Sequence, residues 1–479
     1  MGESNAGIQS SEGQLRQNAI GSVSIVFFVL AAAAPLAAII GVAPIIFGGA
    51  GSTGAPGAYL LCTLILLVFS VGFAAMSRHV SGPGGFAVYI ARAFGIRAGN
   101  GASFVALLGY NAFAIGNLGL FGYLAKSIFN DKFGLHLAWW VYCLIAIAVI
   151  GFLGYREVNL SAKVLGVFLL LEMLIILVLD GATIAKGGNA GINVSGFSPS
   201  AMFSGAPGIV FLLAFACFVG FEATTLYGEE ARDRHRTIPR ATYIAVILVG
   251  IFYTLVMWVF QLGYGNSEAA RIAKVDPGNF IFTLNTRYVG RWSTDVMEWL
   301  VITSIFACVL SFHNALTRYM FALGRDGLFP KALARTHKTQ DSPHIASLVQ
   351  TAITLVVIAV FALAKADPYA KLYSWFVGIG AVAILLLYTV ASVAASRFLR
   401  RDTQEKRLWV TTIAPILAAL AMAIFVYLAI HNFSALTGST SRLVNLLWIL
   451  GPIMAIIGYV VTPSKTNTAL NDVGILPQQ

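Results

Sequence analysis

Charge is what this chain has least of. Only 11% of its 479 residues are Asp, Glu, Lys or Arg, where a soluble domain carries about 25%. That scarcity excludes an ordinary water-soluble enzyme. The 58% hydrophobic content and mean hydropathy of +0.81 imply a polytopic membrane protein whose surroundings are a lipid bilayer. The formal charge of +11 does not call for nucleic acid. The basic residues are scattered between apolar runs, as positive cytoplasmic loops scatter them.

Cysteine is nearly as sparse. Cys62, Cys143, Cys217 and Cys308 all lie in apolar runs, with neither metal spacing nor a disulfide framework. No His, Cys and acid cluster suggests a nucleophile and base, so neither an enzyme, a metal nor a cofactor is expected. The polar N-terminal tail lacks the layout of a signal peptide, because the first apolar run is too long and no convincing cleavage site follows. Gly82-Pro83-Gly84-Gly85 does not read as a phosphate loop, since no strand precedes it and it falls between apolar runs. It reads as a tight turn of an inner loop, with Tyr89 helping to close an inner gate. Gly324 to Pro330, GRDGLFP, reads as a turn and inner anchor.

What is abundant is apolar sequence of a particular length. A bilayer core of about 30 Å needs roughly 20 apolar residues per helix, and that ruler gives an all-α chain of about twelve spans. They fall at Asn18–Phe47, Gly57–Met76, Gly101–Ile128, Leu137–Leu153, Asn159–Ile184, Gly205–Tyr227, Pro239–Leu262, Thr294–Leu323, His344–Ala364, Leu372–Phe398, Leu408–Ile430 and Arg442–Val461. If the N-terminus lies in the cytoplasm and the spans alternate, most of the 31 Lys and Arg fall inside. Both termini are then cytoplasmic, in a multi-pass protein of the plasma or inner membrane. The 263–291 loop is the exception. It is basic yet external, and long enough for a short helix over the mouth.

Two spans are interrupted. The first contains Pro35, Gly41 and Pro44. The sixth lies in GAPGIVFLLAFACFVGFEATTLYGEEARDRHRTIPR, residues 205–240. It starts as an apolar helix and meets Gly220 and Glu222 at lipid depth. It then runs into charge and restarts at Thr237-Ile238-Pro239, where a Thr cap and an early Pro suit a helix N-terminus. A carboxylate at that depth must face protein or water, and broken helices are tolerated there when they line a cavity. Paired breaks in corresponding positions mark the binding site of inverted-repeat carriers. Five spans separate these two, an odd number, so the second set would be inverted relative to the first. The organisation expected is a tail at 1–17, five spans at 18–184, five inverted spans at 205–398, two further helices at 408–461 and a tail at 462–479.

Three stretches carry a resemblance: SGPGGFAVYIARAFG after the second span, FVGFEATTLYGEEARDRHRTIPRA at the sixth and NALTRYMFALGRDGLFPKALARTH after the eighth. Together with the span spacing they resemble the amino acid–polyamine–organocation transporter superfamily over nearly the whole chain. The resemblance implies a five-plus-five inverted repeat, LeuT-like, with two additional helices and alternating access. It implies uptake or exchange of an amino acid or related amine, driven by a proton or solute gradient. Members often carry a Gly-Ser-Gly-type break in the first span; here Ala34-Pro35-Leu36-Ala37-Ala38 stands in its place.

An α-amino acid offers a carboxylate and an ammonium. Bare N–H groups at a helix N-terminus suit the carboxylate. Pro35 has no N–H, so Leu36, Ala37 and Ala38 are the expected donors. By the resemblance, the sixth-span carbonyls that meet the ammonium belong to Phe215, Ala216 and Cys217, beside the flexible Gly220. Phe215, Phe218 and Phe221 are candidates for an aromatic lid, though many relatives place an aromatic at the position of Ala216. A side-chain pocket from the third, eighth and tenth spans would use Tyr110, Asn111, Phe312, Ser374 and Trp375, with Asn117 also at depth. That lining has few acids, which favours a neutral, small-to-medium amino acid; a polyamine or other amine is the alternative. A receptor or channel is a rival of another class.

Four ionisable groups within spans are candidates for a role. Glu222 either holds the broken helix together or carries a proton. Glu172 stands near the place where some proton-coupled relatives carry a lysine, and is a candidate to load and release a proton. His313 is either a titrating group or a helix-to-helix hydrogen-bonder. Glu298 lies nearer the outer end and pairs with Arg291 or snorkels. At the inner end, Glu230 could pair with Arg78 or Arg92 as part of an inner gate, or belong to a solvated face.

Overall fold

The first apolar run does not continue as one helix. α1 (Ser22–Ala33) stops at Ala34, whose φ of 42° and ψ of 67° put it in the left-handed region, and α2 (Pro35–Pro44) begins on the next residue. The proline explains the position of the break. It fixes its own φ for a first helical turn and disfavours the helical region for the residue before it. A π-helical stretch, Ile45–Gly49, finishes the span.

The structure, a computed structural model, describes residues 21–80, 85–155, 162–189, 191–222, 224, 231–337, 342–401 and 405–462. Next in order come α3 (Ala55–Ser77), α4 (Gly85–Phe94), α5 (Ile96–Phe133), α6 (Trp139–Tyr155), α7 (Ala162–Ala185), the short α8 (Pro199–Met202) and α9 (Pro207–Ala216). α10 (Arg234–Tyr264), α11 (Asn266–Val275), α12 (Phe280–Tyr288), α13 (Arg291–Arg325), α14 (His344–Leu363) and α15 (Ser374–Arg401) follow. α16 (Ala414–His431), α17 (Phe433–Thr437) and α18 (Leu450–Val461) complete the chain. Among the described residues nine helices are long and apolar enough to cross a membrane, and no strand occurs. The expected spans that fall short of that length are the first, the fourth and the sixth, the first and sixth being the two with breaks.

The loop of residues 263–291 folds into two helices rather than one. α11 lies on Ile45–Gly49, with the backbone of Ala273 and Lys274 against Gly48. Phe280 of α12 packs against Phe47 and Tyr264, with ring centroids 5.7 and 4.9 Å away. Outside the spans, Arg287 of α12 bonds Glu268 of α11 at 3.0 Å and holds that carboxyl below its usual range. This end of the bundle is called the cap end below.

One boundary differs from the sequence reading. Thr237 does not cap the seventh helix. The turn begins at Arg234, after Asp233 in the left-handed region at φ 46°. The amides of Arg236 and Thr237 both close on the Asp233 carbonyl, so the first turn is complete without a threonine cap. Thr237 lies inside it, its hydroxyl donating to the Arg232 carbonyl, and Pro239 is also within the helix. Gly82 to Gly84, Glu229 and Glu230 lie outside the described residues.

The core runs between the breaks. α5 packs against α13, α15 and α18, α3 against α10, and α9 against α16. The last contact is backbone to backbone: a Cβ on Gly208 would meet the Leu428 carbonyl oxygen at 2.0 Å. A Cβ on Gly181 of α7 would meet nothing within 4 Å. Gly208→Ala should therefore cost about 1–3 kcal/mol through overpacking, whereas Gly181→Ala should leave stability unchanged or raise it by about 0.4–1 kcal/mol. Thermal unfolding of the two purified variants in detergent checks the pair, and equal melting temperatures would contradict this packing.

Candidate functional site

The two breaks face each other, and their backbone hydrogen bonds can be followed group by group. At the first, Pro35 has no N–H. The Leu36 amide faces the Glu172 carboxylate of α7. The Ala38 amide closes on Ala34 at 3.0 Å. Of the donors expected from sequence, Ala37, in the first turn of α2, lines the cavity between the breaks.

At the second break, Glu222 redirects the chain. Its Oε2 accepts the Gly220 amide at 2.8 Å and the Tyr388 hydroxyl at 3.2 Å, and its Oε1 accepts the Tyr110 hydroxyl at 3.0 Å. In a continuous helix the Gly220 amide would close on Ala216. Instead Phe218 bonds Phe215 and Val219 bonds Ala216, both in tighter i→i−3 turns, while Phe221 bonds Phe218. The Cys217 carbonyl is left with no backbone partner among the described residues. Gly220 sits at φ 113°, a conformation that side-chain-bearing residues rarely adopt.

A cavity of about 50 Å³ lies between these groups. On the first span it is lined by Ala33, Ala34, Ala37, Ala38 and Val42, and on the sixth by Ala216, Cys217 and Val219. The third span adds Phe113 and Asn117, the eighth Cys308 and Phe312, and the tenth Tyr373 and Val377. No charged side chain is in this lining. Phe113 and Phe312 stack at 5.9 Å and form one apolar wall. The Asn117 amide nitrogen donates to the Phe113 carbonyl at 2.9 Å, which orients its carbonyl oxygen. On the cap side, Tyr123, Tyr369 and Tyr373 stack in sequence at 5.2 and 5.5 Å. The Tyr369 hydroxyl donates to the Gly41 carbonyl of α2 at 2.8 Å, joining the tenth span to the first above the cavity.

The remaining sequence candidates are placed as follows. Ala37, Ala38, Ala216, Cys217 and Phe312 line the cavity, while Pro35 and Leu36 belong to the break beside it. Tyr110 is committed to Glu222. The Asn111 carbonyl oxygen accepts from Gln350 of α14 at 2.9 Å, so Asn111 faces the ninth span. Ser374 donates to the Tyr369 carbonyl and Trp375 to that of Thr437. Phe215 packs on Phe425, Phe218 on Tyr253, and Phe221 on Phe69, Phe73 and Tyr388, all away from the cavity lining. Tyr89 packs on Phe73 at the end opposite the cap. Glu172 accepts from Ser304 of α13 at 2.8 Å, and His313 pairs with Ser347 of α14 at 2.9 Å. Glu298 bonds Lys132 at 2.7 Å and lies 3.9 Å from Arg291.

Sequence reasoning did not pick out Phe113, Cys308, Tyr373 or Val377 as lining groups. They are apolar or aromatic residues in apolar helices, and nothing local separates a cavity wall from a packing face. Cys308 and Tyr373 were findable only through register. Cys308 lies one turn from Phe312, and Tyr373 next to Ser374.

A family model described as "Amino acid permease" matches residues 20–463. The low-affinity putrescine importer PlaP of Escherichia coli (strain K12) is 22% identical over 313 residues, covering 63% of this chain and 66% of the importer. The branched-chain amino acid permease BcaP of Bacillus subtilis (strain 168) is 23% identical over 292 residues, 60% of this chain and 57% of BcaP. The serine/threonine exchanger SteT of the same strain is 22% identical over 369 residues, 76% of this chain and 80% of SteT. The chain thus spans less than two thirds of the length of PlaP and of BcaP.

The geometry at Glu222 carries its own test. Tyr388→Phe removes one donor from a buried carboxyl and should cost about 1–3 kcal/mol. Combined with Glu222→Gln, the loss should be clearly smaller than the sum of the single losses, because one interaction is removed twice. Thermal unfolding of the single and double variants measures this; strictly additive losses would mean the two side chains do not share a bond.

Proposed function

The chain belongs to the amino acid permease family, and on that premise we propose that it moves a small-to-medium amino acid with a neutral side chain across a membrane by alternating access. The family is one of transporters rather than enzymes. The observation that carries the substrate reading is the pair of complementary backbone groups on either side of an uncharged cavity. The Ala37 amide, at the start of α2, suits a carboxylate, and the Cys217 carbonyl suits an ammonium. A zwitterion satisfies both without requiring a charged side chain.

A polyamine carrier is the second reading, because one relative is a putrescine importer. A diamine carries a second cation and no carboxylate. It would need an acid facing the cavity, and it would bring no carboxylate to the start of α2. Glu222 and Glu172, the two acids nearest the breaks, are already bonded to Tyr110, Tyr388 and Gly220, and to Ser304. This supports the neutral amino acid over the diamine.

We place the cap end outside and both termini inside, on the grounds of the basic inner loops. We assign the coupling proton to Glu172. Its carboxyl touches both the Leu36 amide of the first break and Ser304 of the eighth span. Its charge state therefore acts on contacts between two elements that an alternating-access cycle would separate.

Two measurements in proteoliposomes test this reading. In equilibrium competition against a panel of radiolabelled solutes, neutral amino acids should displace one another at least about tenfold more tightly than putrescine, a difference of about 1.4 kcal/mol. Tight putrescine binding would reject the neutral-substrate reading. Glu172→Gln should abolish uptake driven by a pH gradient while sparing exchange at equal pH on both sides; unchanged pH-driven uptake would remove Glu172 from the coupling step.

A further inference from the structure

Asp180 is an acid that the site described above does not use. It lies on α7, eight residues beyond Glu172 toward the cap, or about 12 Å along the helix axis. It is 1% exposed, and both of its carboxyl oxygens are buried with no hydrogen-bond partner among the described residues. Buried carboxylates are otherwise paired or hydrogen-bonded, and an exception calls for a reason.

The elements packed against α7 supply no counter-charge. Besides Asp180, α7 carries Lys163 near its first turn and Glu172, and just past its end Lys186 donates to the Tyr288 carbonyl at 2.7 Å. On α10, Tyr264 donates to the Phe280 carbonyl, while the Tyr253 hydroxyl lies near Glu172. On α12, Arg287 is held by Glu268, and the Tyr288 hydroxyl donates to Gly263. On α13, Glu298 bonds Lys132, and Cys308 lines the cavity. α1 and α2 carry no ionisable side chain. None of these groups bonds the Asp180 carboxyl among the described residues.

The cap covers it. One turn outward, Thr183 of α7 and Leu284 of α12 converge on Gly263 of α10. Lys186 then ties the end of α7 to the end of α12. With α12 seated, Asp180 is sealed from water; lifting α12 would open a path from the cap side to this buried acid.

We propose that Asp180 is a protonation site on the cap side, and that the cap closes over the cavity only when Asp180 carries a proton. Burying the neutral acid costs far less than burying a bare carboxylate, so the closed form selects the protonated group. The carboxylate takes one proton from water on the cap side as the cap closes. It returns that proton to the same side on reopening. No proton crosses the membrane by this route: Asp180 gates closure by the pH of the cap side, whereas Glu172 is the candidate for coupling. The inference rests on the carrier reading for the motion of the cap.

Cys217 and Cys308 line the cavity and provide a native readout. In sealed membrane vesicles holding the full-length protein, an impermeant maleimide is added from the cap side over a range of pH. Thiol reactivity itself rises with pH in every variant, so the quantity read is the ratio of wild-type to Asp180→Asn labelling rates. The ratio should be near one at acid pH and rise by up to about tenfold per pH unit on the alkaline side, the limit for one proton. Asp180→Leu should behave as Asp180→Asn. A ratio that stays flat overturns the proposal. If neither variant inserts, the wild type alone decides: its labelling must climb with pH faster than that of the same thiols in unfolded protein, and parallel climbs overturn the site. The solute panel judges transport separately, so pH-gated labelling in a protein that moves no solute would retain the Asp180 site and reject the carrier.

Discussion

Three donors converge on the carboxyl of Glu222: the hydroxyls of Tyr110 and Tyr388 and the amide of Gly220. The amide bond matters most. By taking the Gly220 N–H out of the helical ladder, Glu222 forces the preceding turns to tighten and leaves the Cys217 carbonyl exposed to the cavity. The hydroxyl bonds anchor that distorted turn to α5 and α15, which carry two walls of the cavity. Without such anchoring, bare peptide groups at lipid depth would be driven back into a continuous helix. Glu222 thus supports the broken backbone through these bonds.

The opposite break is made differently. The proline after Ala34 disfavours a right-handed turn there, Ala34 takes a left-handed conformation, and a new helix starts at Pro35. The Leu36 amide faces Glu172, the Ala38 amide closes on Ala34, and Ala37 lines the cavity. Both acids near the breaks are thus occupied with backbone and hydroxyl groups. That arrangement explains how a cavity with no charged side chain can still suit a charged, zwitterionic ligand. Complementary peptide dipoles do the work in a dry site, where they are worth more than in water.

The cap end combines two kinds of contact. Aromatic packing through Phe47, Phe280 and Tyr264 and the Tyr369 bond to Gly41 lie directly above the cavity. The ion pairs of Lys132 with Asp295 and Glu298 and of Arg287 with Glu268 lie around them. The partly exposed Arg287–Glu268 pair contributes little, whereas Lys132 and Glu298 are largely buried and bonded to each other.

Much of this was legible in the amino-acid order. The lengths of the apolar runs, the scarcity of charge and the break at Pro35 follow from local chemistry: the thickness of a bilayer, the cost of burying charge and the missing proline N–H. Gly220 and Glu222 likewise marked the second break. What only the tertiary structure decided was which partner each polar group found. Tyr388 reaches Glu222 from 166 positions away, and Gln350 claims Asn111 from 239 away. Glu172 of α7 faces the Leu36 amide of the first break. In helices that are apolar on every side, residue type no longer reports which face looks inward. Only the packing of helix against helix assigns Phe113, Cys308 and Tyr373 to the cavity and Asp180 to a place with no partner.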